Sequence, residues 1–134
     1  MYRPATAPVL VLLAALVALV PGCTSRVDFA KTVSLEGGDI KSYTIDAPRG
    51  EQKVRVSIDS SEPIDVDVAL ASNAADVQKA LDLTKRPDAA RLLASKQGVK
   101  TDTVEATVPA GKEFTILLSG ARKKTEVKLK VNSI

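Results

Sequence analysis

Lys53-Val54-Arg55-Val56-Ser57-Ile58-Asp59 and, after Ser60-Ser61-Glu62-Pro63, Ile64-Asp65-Val66-Asp67-Val68-Ala69-Leu70 alternate apolar and polar residues. Successive side chains of a strand point to opposite faces, so Val54, Val56 and Ile58 share one face and Ile64, Val66, Val68 and Leu70 another. Ser60 to Pro63 reads as the break between two strands, because proline donates no backbone hydrogen bond.

The same period extends in both directions. Thr32 to Leu35 alternates before the turn Glu36-Gly37-Gly38-Asp39, and Tyr43 and Ile45 share a face before Ala47-Pro48-Arg49-Gly50. Downstream come Val104, Ala106 and Val108, then Pro109-Ala110-Gly111, then Phe114, Ile116 and Leu118. After a turn at Gly120, Val127, Leu129 and Val131 alternate with Lys128 and Lys130. About seven short strands separated by Gly and Pro predict a mainly β protein, a single β-sandwich. Its expected interior is Val54, Val56, Ile58, Val66, Val68, Phe114, Ile116, Leu118, Val127 and Leu129.

One stretch follows a different period. Asn73 to Leu81 offers an N-cap in Asn73, an acid in the first turn and Val77 and Leu81 one turn apart, which predicts a helix of two to three turns ending before Pro87. It would serve as a crossover packed over the sandwich. Asp88 to Leu93 fits either a further helical turn or the lead into a strand.

The N-terminus carries an address. Arg3 is followed by an apolar run, Ala5 to Val20, interrupted only by Pro8 and ending in Val20-Pro21-Gly22-Cys23. A membrane-spanning helix needs about 20 apolar residues, and this run is shorter. It has the n-region and h-region of an export signal, and its end resembles a bacterial lipobox. That resemblance implies a lipoprotein: a signal peptide over 1–22, acylation (palmitate) at Cys23, a tether over 23–30 and a domain over 31–134. Thr24, rather than Asp, after the cysteine resembles an outer-membrane address. Cys23 is the only cysteine, so the exported domain has no disulfide and must rest on its core.

Several segments taken in order resemble the bacterial pre-peptidase C-terminal (PPC) domain. They are Gly38-Asp39-Ile40-Lys41-Ser42-Tyr43-Thr44-Ile45, Ile64 to Leu70, Leu92-Leu93-Ala94-Ser95-Lys96-Gln97-Gly98, Val104 to Val108, Pro109-Ala110-Gly111, Phe114-Thr115-Ile116 and Val127 to Val131. The resemblance runs from about Val33 to Val131. It implies a jelly-roll-like β-sandwich, a non-catalytic appendage of secreted enzymes that binds substrates or surfaces. Lys96-Gln97 stands where the family usually carries Asn-Asp.

Composition narrows the chemistry. The chain has 19 Lys and Arg against 16 Asp and Glu, mixed along its length, and few aromatic residues, so nothing points to nucleic acid. It has no histidine, and lipidation would consume its one thiol. The usual general base, metal imidazole and Cys nucleophile are thus missing, and Ser95 beside Lys96 lacks a nucleophile elbow. The expectation is a non-enzyme without cofactor.

Two charge clusters remain. Asp59, Glu62, Asp65 and Asp67 form the one acidic concentration, a weak calcium candidate if a hairpin brings Asp59 to Asp65 and otherwise a solvated strand face paired with Arg55. Arg122, Lys123, Lys124, Lys128 and Lys130 make the C-terminal hairpin basic. Glu126 to Val131 reads as an edge strand guarded by lysines, where a partner can add a strand. The resulting expectation is an envelope lipoprotein held to the membrane by Cys23, an accessory or binding module for an envelope protein or polymer. The alternatives are a purely structural lipoprotein and a calcium- or carbohydrate-binding module.

Overall fold

Alternation becomes strand in the computed structural model, which describes residues 26–134. The elements are β1 (Asp28–Leu35), β2 (Lys41–Ile45), β3 (Gln52–Leu70), α1 (Ala71–Asp82), β4 (Ala94–Val108), β5 (Phe114–Ser119) and β6 (Thr125–Ser133). A single 3₁₀ turn, Ala89–Arg91, precedes β4 and is capped by the Asp88 carboxylate, which accepts from the amide of Ala90. Asp88 to Leu93 thus holds a short helical turn. The signal segment, Cys23 and tether residues 24–25 lie outside the described residues. β1 starts at Asp28, ahead of the domain boundary expected at 31.

The fold is mainly β and sandwich-like, with all strand pairs antiparallel. Its organiser is β3, whose 19 residues run straight through the expected break at Ser60 to Pro63. One side of β3 pairs with β4 along nearly its whole length. On the other side Val54 to Ser60 pair with β6, and Asp65 to Leu70 pair with β5. Two four-stranded arrays result, β1-β6-β3-β4 and β2-β5-β3-β4, which share their long strands. Among the described residues six strands thus stand where about seven are expected.

The break survives as a pair of bulges. From Asp59 to Ile64 β3 takes five steps while its partner takes two, from Thr101 to Val99; from Ile64 to Val66 the partner takes the longer path, Val99 to Lys96. A bulge bends a strand and increases its twist. Pro63 is tolerated there because the bulge leaves its position outside the ladder, and Ser60 Oγ donates to the Glu62 carbonyl at 2.5 Å.

All ten residues expected inside are buried, together with Leu35, Ile64, Val104, Ala106, Val108 and Val131. β5 is buried on both faces, because α1 lies over its outer side. Val77 and Leu81 of α1 pack with Leu117, Ala69 and Leu92 in a second, smaller cluster. Burying side chains such as Leu117 and Val77 contributes about 1.5–3 kcal/mol each. α1 begins at Ala71, two residues before the expected cap; Leu70 occupies the cap position without a side-chain bond, and no acid stands in the first turn. Packing on β5, rather than capping by Asn73, holds the helix.

The C-terminal strand is not an edge. β6 lies between β1 and β3, paired on both sides from Ser34↔Glu126 to Asp28↔Asn132 and from Val54↔Ser133 to Ser60↔Val127. The free edges belong to β1, β2 and β4. Between β1 and β2 the ring of Phe29 stands 5.9 Å from that of Tyr43, and Lys31 Nζ lies 5.3 Å above the Tyr43 ring.

Candidate functional site

Two surfaces follow from this topology. The first is the outer face of the β1-β6-β3-β4 array, which no helix covers. Rows cross it strand by strand: Thr32–Lys128–Asp59–Thr101 and Ala30–Lys130–Ser57–Thr103. Small side chains flank the two lysines and leave a shallow concavity of about 810 Å³. Beyond it Arg55 and Lys53 both reach Glu105, at 3.2 and 3.4 Å, and the Arg55 hydrogen bond holds that carboxyl below the usual range. Arg55 is therefore the partner of Glu105, not of Asp65 or Asp67.

The basic residues of the C-terminal hairpin divide between this face and the turn above it. Lys128 and Lys130 stand in the concavity, exposed. Arg122, Lys123 and Lys124 occupy the β5–β6 turn, where Lys123 Nζ pairs with Glu62 at 3.2 Å. Among the described residues Arg122, Lys124, Lys128 and Lys130 make no ion pair. Their charge is available to a partner.

The second surface is the end of the sandwich holding that turn. Asp65 is its pivot: Oδ1 accepts from the Gly98 amide at 3.0 Å, within the β4 bulge. On one side Asp65 lines a cleft of about 680 Å³ with Glu62, Pro63, Gly98, Gly120, Arg122 and Lys123. On the other it lines a cleft of about 400 Å³ beneath the C-terminal end of α1, with Asp39, Asp82, Lys85, Arg86, Gln97 and Ser119 among the walls.

Behind that smaller cleft Asp67 is fully buried, contrary to the expected solvated strand face. Its Oδ1 accepts from Ser95 Oγ at 2.6 Å, and Arg86 Nη2 donates to the same Ser95 hydroxyl at 3.2 Å. With its amide oxygen turned toward the guanidinium, Gln97 also accepts from Arg86, at 2.9 Å from Nε. Burial pushes the Asp67 carboxyl above the usual range; Ser95 and Arg86 pull it back, and Asp65 adds to the rise.

The four acids do not converge. Asp59 lies on the outer face of the first array, Glu62 pairs with Lys123, and Asp65 and Asp67 lie beyond the bulge on the helix side. No hairpin joins Asp59 to Asp65, since both sit on one strand. Among the described residues no group of three or more His, Cys, Asp or Glu side chains is placed to hold a metal ion, and no helix is long and apolar enough to cross a membrane. Sequence reasoning passes over Arg86 and Ser119, and it weighs Ser95 only as a catalytic pair with Lys96 and Gln97 only within the PPC resemblance. Their one local signal is Leu117, an apolar residue on what alternation makes the outer face of β5.

The architecture is similar to that of the Aeromonas hydrophila protein PliG, described as a periplasmic lysozyme inhibitor of g-type lysozyme, in its crystal structure. The TM-score is 0.59 at 17% identity, covering 86% of this chain and 93% of that one. At that identity the likeness defines the fold. No protein-family model matches the chain, and no curated protein matches it in sequence.

Proposed function

We propose that this chain is a non-catalytic binding module of the bacterial cell envelope, anchored through lipid on Cys23, that captures an acidic envelope protein. The observation that carries the reading is the uncovered concave face bearing Lys128 and Lys130, continued at the turn by Arg122 and Lys124, with no ion pair among the described residues. Unpaired basic side chains steer an acidic partner and set its orientation. A protein fits this face better than a glycan, since no aromatic ring lines it for a sugar to stack on.

The fold agrees with the role. PliG is by its description a periplasmic inhibitor of an enzyme, a protein that works by binding another. The resemblance to PPC domains likewise implies a non-catalytic appendage. The short apolar run ending in Gly22-Cys23 supports lipidation and, with Thr24 after it, an outer-membrane address.

Crosslinking in intact cells followed by pull-down tests the reading. The wild type should recover a defined protein that Lys124→Glu/Lys128→Glu/Lys130→Glu fails to recover at unchanged melting temperature. Equal recovery by the two chains would remove the face from consideration, and recovery of nothing by either would favour a structural lipoprotein.

A further inference from the structure

The cleft beneath the C-terminal end of α1 has an unpaired, buried hydroxyl in its wall. Ser119 is 4% exposed and lines the cleft, yet its Oγ has no hydrogen-bond partner. Asp67 is its diagonal neighbour on the same face, because Asp67 pairs with Leu117 and Asp65 with Ser119. Asp67 Oδ2 is equally without a partner. A buried oxygen left unpaired is costly, more so if charged, so native structures rarely leave one without purpose.

The surroundings specify what is missing. Asp39, Asp65 and Asp82 face Lys85 and Arg86 across the cleft, so carboxylates outnumber cations by three to two, before Asp67 behind them is counted. Arg86 already donates to Ser95 and, with the Gln97 amide oxygen turned toward it, to Gln97. The negative end of the α1 dipole points the same way, since helix C-termini favour cations. On this wall the Ser119 hydroxyl has no partner, and Asp65 has only the Gly98 amide. About 400 Å³ holds one amine or guanidine with a short stem, not a folded segment.

We propose that this cleft binds an organic cation, an ammonium or guanidinium group that donates to Asp65 and Ser119. The group comes either from a free small amine or from a basic side chain of a protein. This site is separate from the basic face of the first array, with opposite charge preference, and stands or falls independently of it.

Titration of the full chain in non-ionic detergent with agmatine, and in parallel with an N-acetylated, C-amidated Gly-Arg-Gly peptide, tests the inference by amide chemical shifts. Saturable shifts at Gly98, Ser119 and Gly120 are expected, absent with sodium chloride at equal ionic strength. Tighter binding of the peptide assigns the cation to a protein side chain; tighter binding of agmatine assigns it to a free amine. Asp65→Asn should weaken binding by about tenfold, the usual loss when one charged partner of a hydrogen bond is removed. Ser119→Ala should weaken it severalfold at an unchanged melting temperature, and Glu105→Gln on the other array should not change it. Absence of saturable shifts up to tens of millimolar with both probes overturns the proposal. So does undiminished binding by Ser119→Ala and Asp65→Asn, which would leave the two oxygens to an ordered water.

Discussion

Asp65 lies directly over Gly120: a Cβ built on Gly120 would stand 2.7 Å from Asp65 Oδ2 and 3.4 Å from the Asp65 amide nitrogen. Gly120 also has φ +81°, a backbone conformation that glycine adopts without cost. One glycine thus sets both the β5–β6 turn and the position of the carboxylate that separates the two clefts. Gly98 holds the other oxygen of Asp65 from the opposite strand, itself at φ +67°.

Gly120→Ala should destabilise the domain by about 1–3 kcal/mol, the range for strain at a left-handed position, with the steric conflict at Asp65 added. Gly50→Ala meets nothing within 4 Å and needs no such backbone angle, so its effect should stay within about 0.5 kcal/mol. Urea unfolding of the two variants compares them directly. Equal losses would mean that Asp65 is not held against this turn.

Phe114 and Lys128 test the strand register. Phe114 is fully buried where β5 meets both β2 and β3, at Ile45↔Phe114 and Leu70↔Phe114. Phe114→Ala should cost about 3–5 kcal/mol. Lys128 is exposed and makes no ion pair among the described residues, so Lys128→Ala should cost under about 0.5 kcal/mol. Similar melting losses for both would place the wrong face of the sandwich inside.

Asp67 makes stability depend on pH with an unusual sign. Burial raises its carboxyl in the folded chain, so the folded state binds the proton more tightly than the unfolded one, whose value is about 3.9. Its contribution is fully present below that value and is lost as pH rises through the folded value. Asn at this position keeps an acceptor for Ser95 and removes the charge. Asp67→Asn should therefore melt higher than the wild type at pH 8, with the difference shrinking as pH falls toward 4. Glu105 and Asp102, held low by Arg55 and Lys96, have the opposite dependence but occur in both chains and cancel in the comparison. A difference that is constant from pH 4 to pH 8 would mean that Asp67 titrates normally.

Legibility in the sequence followed the range of the interaction. Val54, Val56 and Ile58 declared their face because alternation is local, and every residue assigned inside by that rule is buried. The order of strands was hidden. β6 pairs with β1 from more than a hundred residues upstream, as Asp28↔Asn132 shows, and nothing in Glu126 to Val131 records that neighbour. Lysines on that strand therefore read as edge guards, when they are the polar row of a central strand with one face in water. Asp67 misled for a related reason: alternation says which residues share a face, not whether a helix covers it. The break at Pro63 was seen correctly as a discontinuity, but a bulge and a turn have the same local signature.

Lipidation at Cys23 would fix which end of the domain a partner meets. Labelling with a palmitate analogue should mark the wild type and spare Cys23→Ser; equal labelling would remove the anchor. β1 then leads away from the membrane, because Asp28 stands only five residues after Cys23 and Leu35 lies beside Thr125 at the far end. Seven strand steps of about 3.4 Å put roughly 24 Å between those ends. The turn Arg122 to Lys124 stands at the far end, while Asp46 and Pro48 line a cleft with Arg26 at the near one. A fluorophore at Asp46 should therefore be quenched by spin-labelled lipids in vesicles carrying the full chain, and one at Lys123 far less. Stronger quenching at Lys123 would mean that the basic turn rests on anionic headgroups, and that its charge serves the bilayer instead of a protein partner.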